Sequence, residues 1–497
     1  MQKHNVLWGM FLVLIIATFL RTYQLDKFPP GLYPDEAMNG NNALEAIKTG
    51  DYKVYYPENN GREGLFINIQ AMFLRAIGQN EPWTLRLFST LVGILTVAGI
   101  YFLAKELFSR KVGLLCAFLL ATSFWHINFS RIGFRAISAC MFAVWGFYLL
   151  WYAIRKSNEG KSGLWQAILG GIIFGLGFHT YIAYRVTPLL LLVPLIYFRK
   201  NNGFWKILLA FLVGAFIAGL PIGLYYLQNP GDFFGRTSQI SVFSSDSTFK
   251  DLSLNIGKTL LMFFYDGDYN WRHNYAGRAQ LFWPVALMFL SGIILGLGAI
   301  FKRYLGSKWL HDEDDSDLGA RKIRASFWLI FLWFGLGLLP VIISNEGLPH
   351  ALRALLLIPP AIIFAGVAGT WFYEKAKEYL RPKILGGVTV LFLILLFLEA
   401  YQTYFLLWGP NQNTQGAFAA NYVNIGEQIN RTSRVHDKYV IVEGGGTDVR
   451  GLPMPTQTTM FITDTFLPQD QKDKKIHYVL PGQIEQIPPG ALRFYLR

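Results

Sequence analysis

Apolar runs long enough to cross a bilayer recur along almost the whole chain, and they leave few folds open. Val6–Leu20 with its flanks, Ile207–Leu227 and Ile384–Trp408 are three of them. In a hydrocarbon core about 30 Å thick every backbone N–H and C=O must be satisfied within the segment, so such runs fold as helices. Eleven spans are read, centred near residues 13, 95, 120, 144, 173, 190, 215, 290, 335, 363 and 395. With 53% hydrophobic and only 15% charged residues among 497, the chain is not an ordinary soluble domain. The first run follows a basic "MQKHN" start, but no small-x-small cleavage site follows it, so it is read as retained. Cys116 and Cys140 lie inside apolar runs and read as small core residues, not as a disulfide or zinc framework.

A net charge of +13 raises the question of nucleic acid, and its distribution answers against it. With the N-terminus in the cytoplasm, five loops fall inside. They carry Lys105, Arg110 and Lys111; Arg155, Lys156 and Lys161; Arg199, Lys200 and Lys206; Lys302, Arg303, Lys308, Arg321, Lys322 and Arg324; and Lys375, Lys377, Arg381 and Lys383. All five are basic, as cytoplasmic loops are. The acidic run "HDEDDSD" (311–317) counts little in that rule. The outer face then holds a first loop (23–83), a second loop (228–280) and a tail after Trp408 rich in Asn, Gln, Gly and Pro. In the tail "KYVIVEGGG" and "IHYVLPG" read as strands and "AFAANYVNIGEQINR" as an amphipathic helix, giving a small α/β domain over 409–497. No internal repeat is visible.

The outer face also gathers charges that the basic-inside bias does not explain. Arg131 and Arg135 flank a turn; His179, Tyr181 and Arg185 crowd "FHTYIAYRVTP"; Asp268, Arg272, His273 and Arg278 precede the eighth span; His350 and Arg353 precede the tenth. Snorkelling explains any one of them. Four clusters on one face point instead to an anionic ligand such as a lipid phosphate, which Arg binds bidentately. Directly after the first span, "GLYPDEAMNG" places Asp35 and Glu36 among them. Asp35 can be an N-cap behind Pro34. A carboxylate facing several Arg residues is also a candidate general base.

The segments "YPDEAMNGNNALEAIKTGDY", "GREGLFINIQAMFLRAIGQNEPWTLRLFSTLVGILTVAGIYFLAKELF" and "HINFSRIGFRAISACMF" resemble the family 39-like glycosyltransferases of the GT-C superfamily. That group contains the protein O-mannosyltransferases and the lipid A aminoarabinose transferase. "GLGFHTYIAYRVTPLLLL", "RHNYAGRAQLFWPVALMFLSGI" and "PHALRALLLIPPAIIFAGVA" extend the likeness less specifically to about residue 370. The resemblance implies a polytopic all-α fold (1–408) and a polyprenyl-phosphate sugar as donor. It further implies a lipid, glycan or protein acceptor, and inverting transfer on the outer face of the plasma (inner) membrane. It makes Asp35 the base, with Glu36 beside it. Where family members often carry Lys-Pro-Pro, this chain reads "NNGREG", so Arg62 stands for the lysine and Glu63 adds a ligand. Some relatives hold a divalent cation, for which Glu58, Glu63, His179, His273 and His350 are possible ligands, although their spacing matches no metal motif. Neither a P-loop nor a Gly-x-Gly-x-x-Gly cradle is present, in keeping with a donor already activated by its lipid phosphate. The rival readings are a lipid-linked-sugar flippase, an oligosaccharide ligase acting on a lipid diphosphate, and a non-catalytic sugar-binding protein. Against the flippase, the ionisable residues cluster at one face and not at mid-membrane.

Overall fold

The computed structural model describes residues 3–233, 248–301, 317–344 and 347–497. Lys302, Arg303, Lys308 and residues 311–316 of the acidic run lie outside the described residues. The chain opens with α1 (Lys3–Thr22), then the first loop, which folds as α2 (Pro34–Thr49), a two-stranded ribbon of β1 (Tyr55–Tyr56) and β2 (Arg62–Glu63), and α3 (Gly64–Ile77). The bundle continues with α4 (Pro82–Leu107), α5 (Arg110–Ala121), α6 (Phe124–Ser130), α7 (Ile137–Asn158), α8 (Leu164–Leu176), α9 (Leu192–Phe198), α10 (Phe204–Gln228) and α11 (Thr248–Leu261). It closes with α12 (Trp283–Phe301), α13 (Asp317–Ile342), α14 (Ile358–Ala376) and α15 (Pro382–Tyr401).

Among the described residues seven helices are long and apolar enough to cross a membrane, or eight if α5 and α6, bent by 63°, form one span. The other three predicted centres fall on shorter apolar stretches, Val6–Thr22, Leu164–His179 and Ile182–Phe198. The last two are short because the backbone tightens to 3₁₀ geometry at Gly177–His179 and again over Ile182–Leu191, which contains Pro188. Helices at the periphery turn apolar side chains outward: Trp8 is 72% exposed, Phe216 67% and Ile294 63%. Such a belt needs a lipid solvent. Inside, α8 and α10 approach closely through Gly171 and Gly175, spaced as in Gly-x-x-x-Gly. A Cβ on Gly171 would stand 1.9 Å from the Phe211 carbonyl oxygen, so no larger residue fits there.

Ion pairs sort to the two ends of the bundle. At one end Glu106 accepts from Arg155 at 2.7 Å and faces Lys322 at 3.6 Å, while Lys111 bonds Glu374 at 2.7 Å. These are residues of the loops read as basic and cytoplasmic. At the other end lie the first loop and the tail.

The tail contains α16 (Gln412–Ala417), α17 (Ala420–Arg431), β3 (Lys438–Val442), β4 (Asp448–Val449), β5 (Leu452–Pro453), α18 (Thr456–Thr463), α19 (Pro468–Lys474), β6 (Ile476–Val479) and β7 (Leu492–Leu496). β3 pairs in parallel with both β6 and β7, giving the order β6-β3-β7. The tail packs directly onto the first loop. Val423, Phe461 and Ile462 share a core with Leu32, Ala37, Leu44, Ile67 and Leu85, and Met38 joins Met454, Met460 and Phe466 in another. Asn41 Nδ2 donates to the Gln457 carbonyl and side chain at 3.0 and 2.9 Å, and Lys48 bridges Asp464 and Asp470 at 2.6 and 2.8 Å.

Candidate active site

The site is built where α2 begins. Tyr33 caps the helix and Pro34 takes its first position, since a ring-locked φ and a missing N–H suit that place. Asp35 is therefore not the N-cap expected from the sequence; it sits in the first turn with Glu36, where carboxylates meet the unpaired N–H end of the helix. The two then diverge. Glu36 is fully buried: Oε1 accepts from Gly133 N at 2.6 Å and Arg86 Nε at 3.1 Å, and Oε2 from Arg86 Nη2 at 3.2 Å and Tyr33 N at 3.4 Å. Arg86 also donates to the carbonyls of Pro29 and Gly31, both at 2.7 Å. This knot fixes the first loop to α4 and to the turn before α7.

Asp35 is only half-buried. Asn59 Nδ2 donates to its Oδ1 at 2.5 Å, and the Tyr33 hydroxyl lies close to both Asp35 and Arg272. The Arg272 guanidinium lies 4.0 Å over the Tyr33 ring. Burial, then the Asp35 charge, push the Tyr33 hydroxyl well above its usual range, so it stays neutral.

The remaining predicted residues converge on the same end and divide by what they hold. Arg62 is buried, with Nη1 on Asn39 Oδ1 at 2.8 Å and Nη2 on Asn42 Oδ1 at 2.5 Å; burial, then Arg135, bring it down to about 10. Arg135 bonds Glu63 at 2.7 Å. The Arg131 guanidinium is caged by the carbonyls of Leu20, Tyr23, Gln24 and Phe28 at 2.8–3.3 Å, so it secures the exit of α1. His179 Nε2 donates to the Ala218 carbonyl at 2.9 Å, and Tyr181 packs half-buried against the main core close to Arg135. Arg185 stacks 4.1 Å over Phe233 and 4.8 Å over Tyr226, with one bond to the Phe233 carbonyl. Arg353 donates to Ser344 and its backbone N to His350 Nδ1. Among the described residues, Arg185 and Arg272 form no ion pair with a carboxylate, whereas Arg135 does.

Of the expected metal ligands, His273 and His350 come together, their rings 4.9 Å apart, and Asp268 completes a trio whose ligand atoms lie within 4.8 Å of one another. Glu58, Glu63 and His179 are engaged elsewhere. Asp268 already accepts from Asn270 N at 2.7 Å, Ala351 N at 2.8 Å and His273 Nδ1 at 3.0 Å, so its carboxylate fixes this loop even without an ion. Burial holds His273 below its usual pKa against the pull of Asp268, and Arg272 and Arg353 act with burial. The trio can offer neutral imidazole nitrogens to a cation.

Sequence reasoning missed Tyr33, Asn59 and Arg86. Arg86 carried a signal, a lone cation inside the apolar run "WTLRLFSTLV". Asn59 carried only a turn signal in "ENNGRE", with nothing to say what the turn aims at.

Residues 65–224 match the family model described as dolichyl-phosphate-mannose-protein mannosyltransferase. No curated protein matches the sequence. Among solved structures the chain is similar to ArnT from Cupriavidus metallidurans bound to undecaprenyl phosphate, with TM-score 0.54 and 14% identity over 96% of this chain and 90% of that one. It is also similar to an Archaeoglobus fulgidus oligosaccharyltransferase tethered to an acceptor peptide, with TM-score 0.53 and 13% identity over 97% of this chain. It spans 64% of that protein's length. The chain thus shares its helical-bundle fold, over nearly its whole length, with these two membrane proteins, and residues 65–224 carry the mannosyltransferase pattern.

Proposed function

We propose that the protein moves a glycosyl group from a polyprenyl-phosphate sugar to an acceptor hydroxyl on the outer face of the plasma membrane, with Asp35 as general base. The observation that carries this reading is the contrast within the acidic pair: Glu36 is consumed by Arg86 and Gly133, while Asp35 is half-buried and aimed among cations and a neutral Tyr33. The acceptor oxygen loses its proton to Asp35 as it attacks the anomeric carbon. The bond to the lipid phosphate breaks on the opposite side, so a single displacement inverts the centre. The departing phosphate needs positive charge and no proton. Arg272 and Arg185 suit it best, since among the described residues neither pairs with a carboxylate and Arg272 stacks on the Tyr33 ring beside Asp35. A cation held by Asp268, His273 and His350 would add positive charge on the same side. The acceptor is a lipid, a glycan or a protein hydroxyl.

The test is turnover of a panel of undecaprenyl-phosphate monosaccharides by the protein in proteoliposomes, with Asp35→Asn as control. Cleavage of the sugar–phosphate bond that Asp35→Asn abolishes supports the reading. Passage of intact donor across the membrane without cleavage would replace it with the flippase reading. Consumption only of lipid-diphosphate oligosaccharides would replace it with the ligase reading.

A further inference from the structure

Asn59 does not reach Asp35 by an ordinary loop. Asn59, Asn60 and Gly61 take φ values of 52°, 61° and 79°, three left-handed residues in succession. Asn tolerates that region better than most residues, yet a run of three persists only where the surroundings hold it. The turn is held at both ends, while Asn60 at its tip is exposed. Gly61 N and Arg62 Nε both donate to the Glu58 carbonyl, at 3.2 and 3.4 Å, and Arg135 Nη2 donates to the Gly61 carbonyl at 3.5 Å. The Glu58 side chain is gripped from the tail: Arg450 Nη2 donates to Glu58 Oε1 at 2.7 Å and to Glu45 Oε2 of α2 at 2.9 Å. Arg450 is braced in turn, 4.3 Å over the Phe466 ring, and has a left-handed φ of 54° itself. The same guanidinium thus ties the strained turn to the helix that carries Asp35.

We infer that Asn59 is the positioning residue of Asp35 and that Arg450 of the tail sets it, through Glu58. An amide N–H on one carboxylate oxygen fixes the side-chain rotamer and turns the other oxygen to the acceptor hydroxyl, so the tail takes part in assembling the base. This rests on Asp35 being the base.

Asn59→Gly separates the amide from the turn, because Gly adopts the same φ without strain. Measured on the full-length protein in proteoliposomes with a radiolabelled undecaprenyl-phosphate hexose that the wild type consumes, Asn59→Gly should lower kcat by about ten- to a hundred-fold, as misplaced catalytic groups do. The donor KM should stay within about twofold. Arg450→Ala should lower kcat in the same direction by roughly three- to tenfold, and the double variant should be no slower than Asn59→Gly alone, since both act through one hydrogen bond. Glu58→Gln, which keeps size and removes the ion pair, repeats the Arg450 arm should Arg450→Ala unfold. Wild-type kcat in Asn59→Gly overturns the inference, and so do losses that multiply in the double variant. Full activity in Asp35→Asn would instead remove the base itself, while an inactive Asp35→Asn beside a normal Asn59→Gly removes only the positioning role.

Discussion

Exchanging Asp35 for Asn replaces one oxygen by an amide nitrogen and can keep the acceptor that Asn59 uses. Asp35→Asn should insert and fold as wild type while turnover falls about a hundred- to ten-thousand-fold, as expected for losing a general base; normal turnover with intact folding would remove the catalytic assignment. Glu36→Gln should act elsewhere. It leaves the buried Arg86 without its counter-charge, a change that costs about 3–5 kcal/mol in comparable pairs, so thermal unfolding in detergent should shift before activity per folded molecule does. Arg272→Gln should weaken donor binding by about 1.5–3 kcal/mol if it meets the phosphate. Arg131→Gln should destabilise the protein instead, by uncapping four carbonyls. The acidic pair stood out in "GLYPDEAMNG" as a candidate, because two carboxylates at the mouth of a span ask for a reason. Which carboxylate is spent on structure was not legible, since that depends on Arg86 and Gly133, distant in sequence.

Between elements, the contact that matters most to the site is α2 against α18. Gly40 lies in that seam, where an added Cβ would stand 2.6 Å from the Phe461 ring and 2.8 Å from Leu85. Gly40→Val should therefore cost roughly 1–3 kcal/mol through overpacking and raise hydrogen exchange over 456–463. Unchanged exchange there would mean that the seam yields freely. The Glu58–Arg450 grip is pH-sensitive. Burial, the largest single effect, would raise Glu58, but the Arg450 hydrogen bond, a backbone hydrogen bond and the charges of Arg450 and Arg62 together hold it below its usual value near 4.3. A depressed carboxylate contributes stability above its unfolded value and loses it as pH falls through the folded one. Proteolysis of the tail should accordingly accelerate below about pH 4 and less so in Glu58→Gln. The helix over "AFAANYVNIGEQINR" and the strands at "KYVIV" and "IHYV" stand where the pattern predicts them. α18 escaped notice for a physical reason: all of Thr456–Thr463 is buried, so it has no polar face to set a period.

For the molecule as a whole, the basic loops give a direct test. Ser157 Oγ bonds the Asn202 carbonyl at 3.0 Å, at the same end as Arg155 and Glu106, whereas exposed Asn413 lies in the tail. Cysteines placed at Ser157 and Asn202 should be shielded from an impermeant thiol reagent in intact cells, and one at Asn413 should be labelled. The native Cys116 and Cys140 are buried and should stay silent. The reverse pattern would put the site in the cytoplasm. Spans and charge bias were readable in advance because both are local in sequence. The roof over the first loop was not, because it is made of partners as far apart as Asn41 and Gln457. That separation of 416 residues also sets a clock. At about 5–20 residues per second the ribosome needs roughly 20–80 s to travel from one partner to the other. Through that interval Asn41 and the rest of the seam stay exposed to water, open to proteases and chaperones. A nascent chain halted before residue 448 should thus be cut within 34–63 by added protease, and the finished chain should resist.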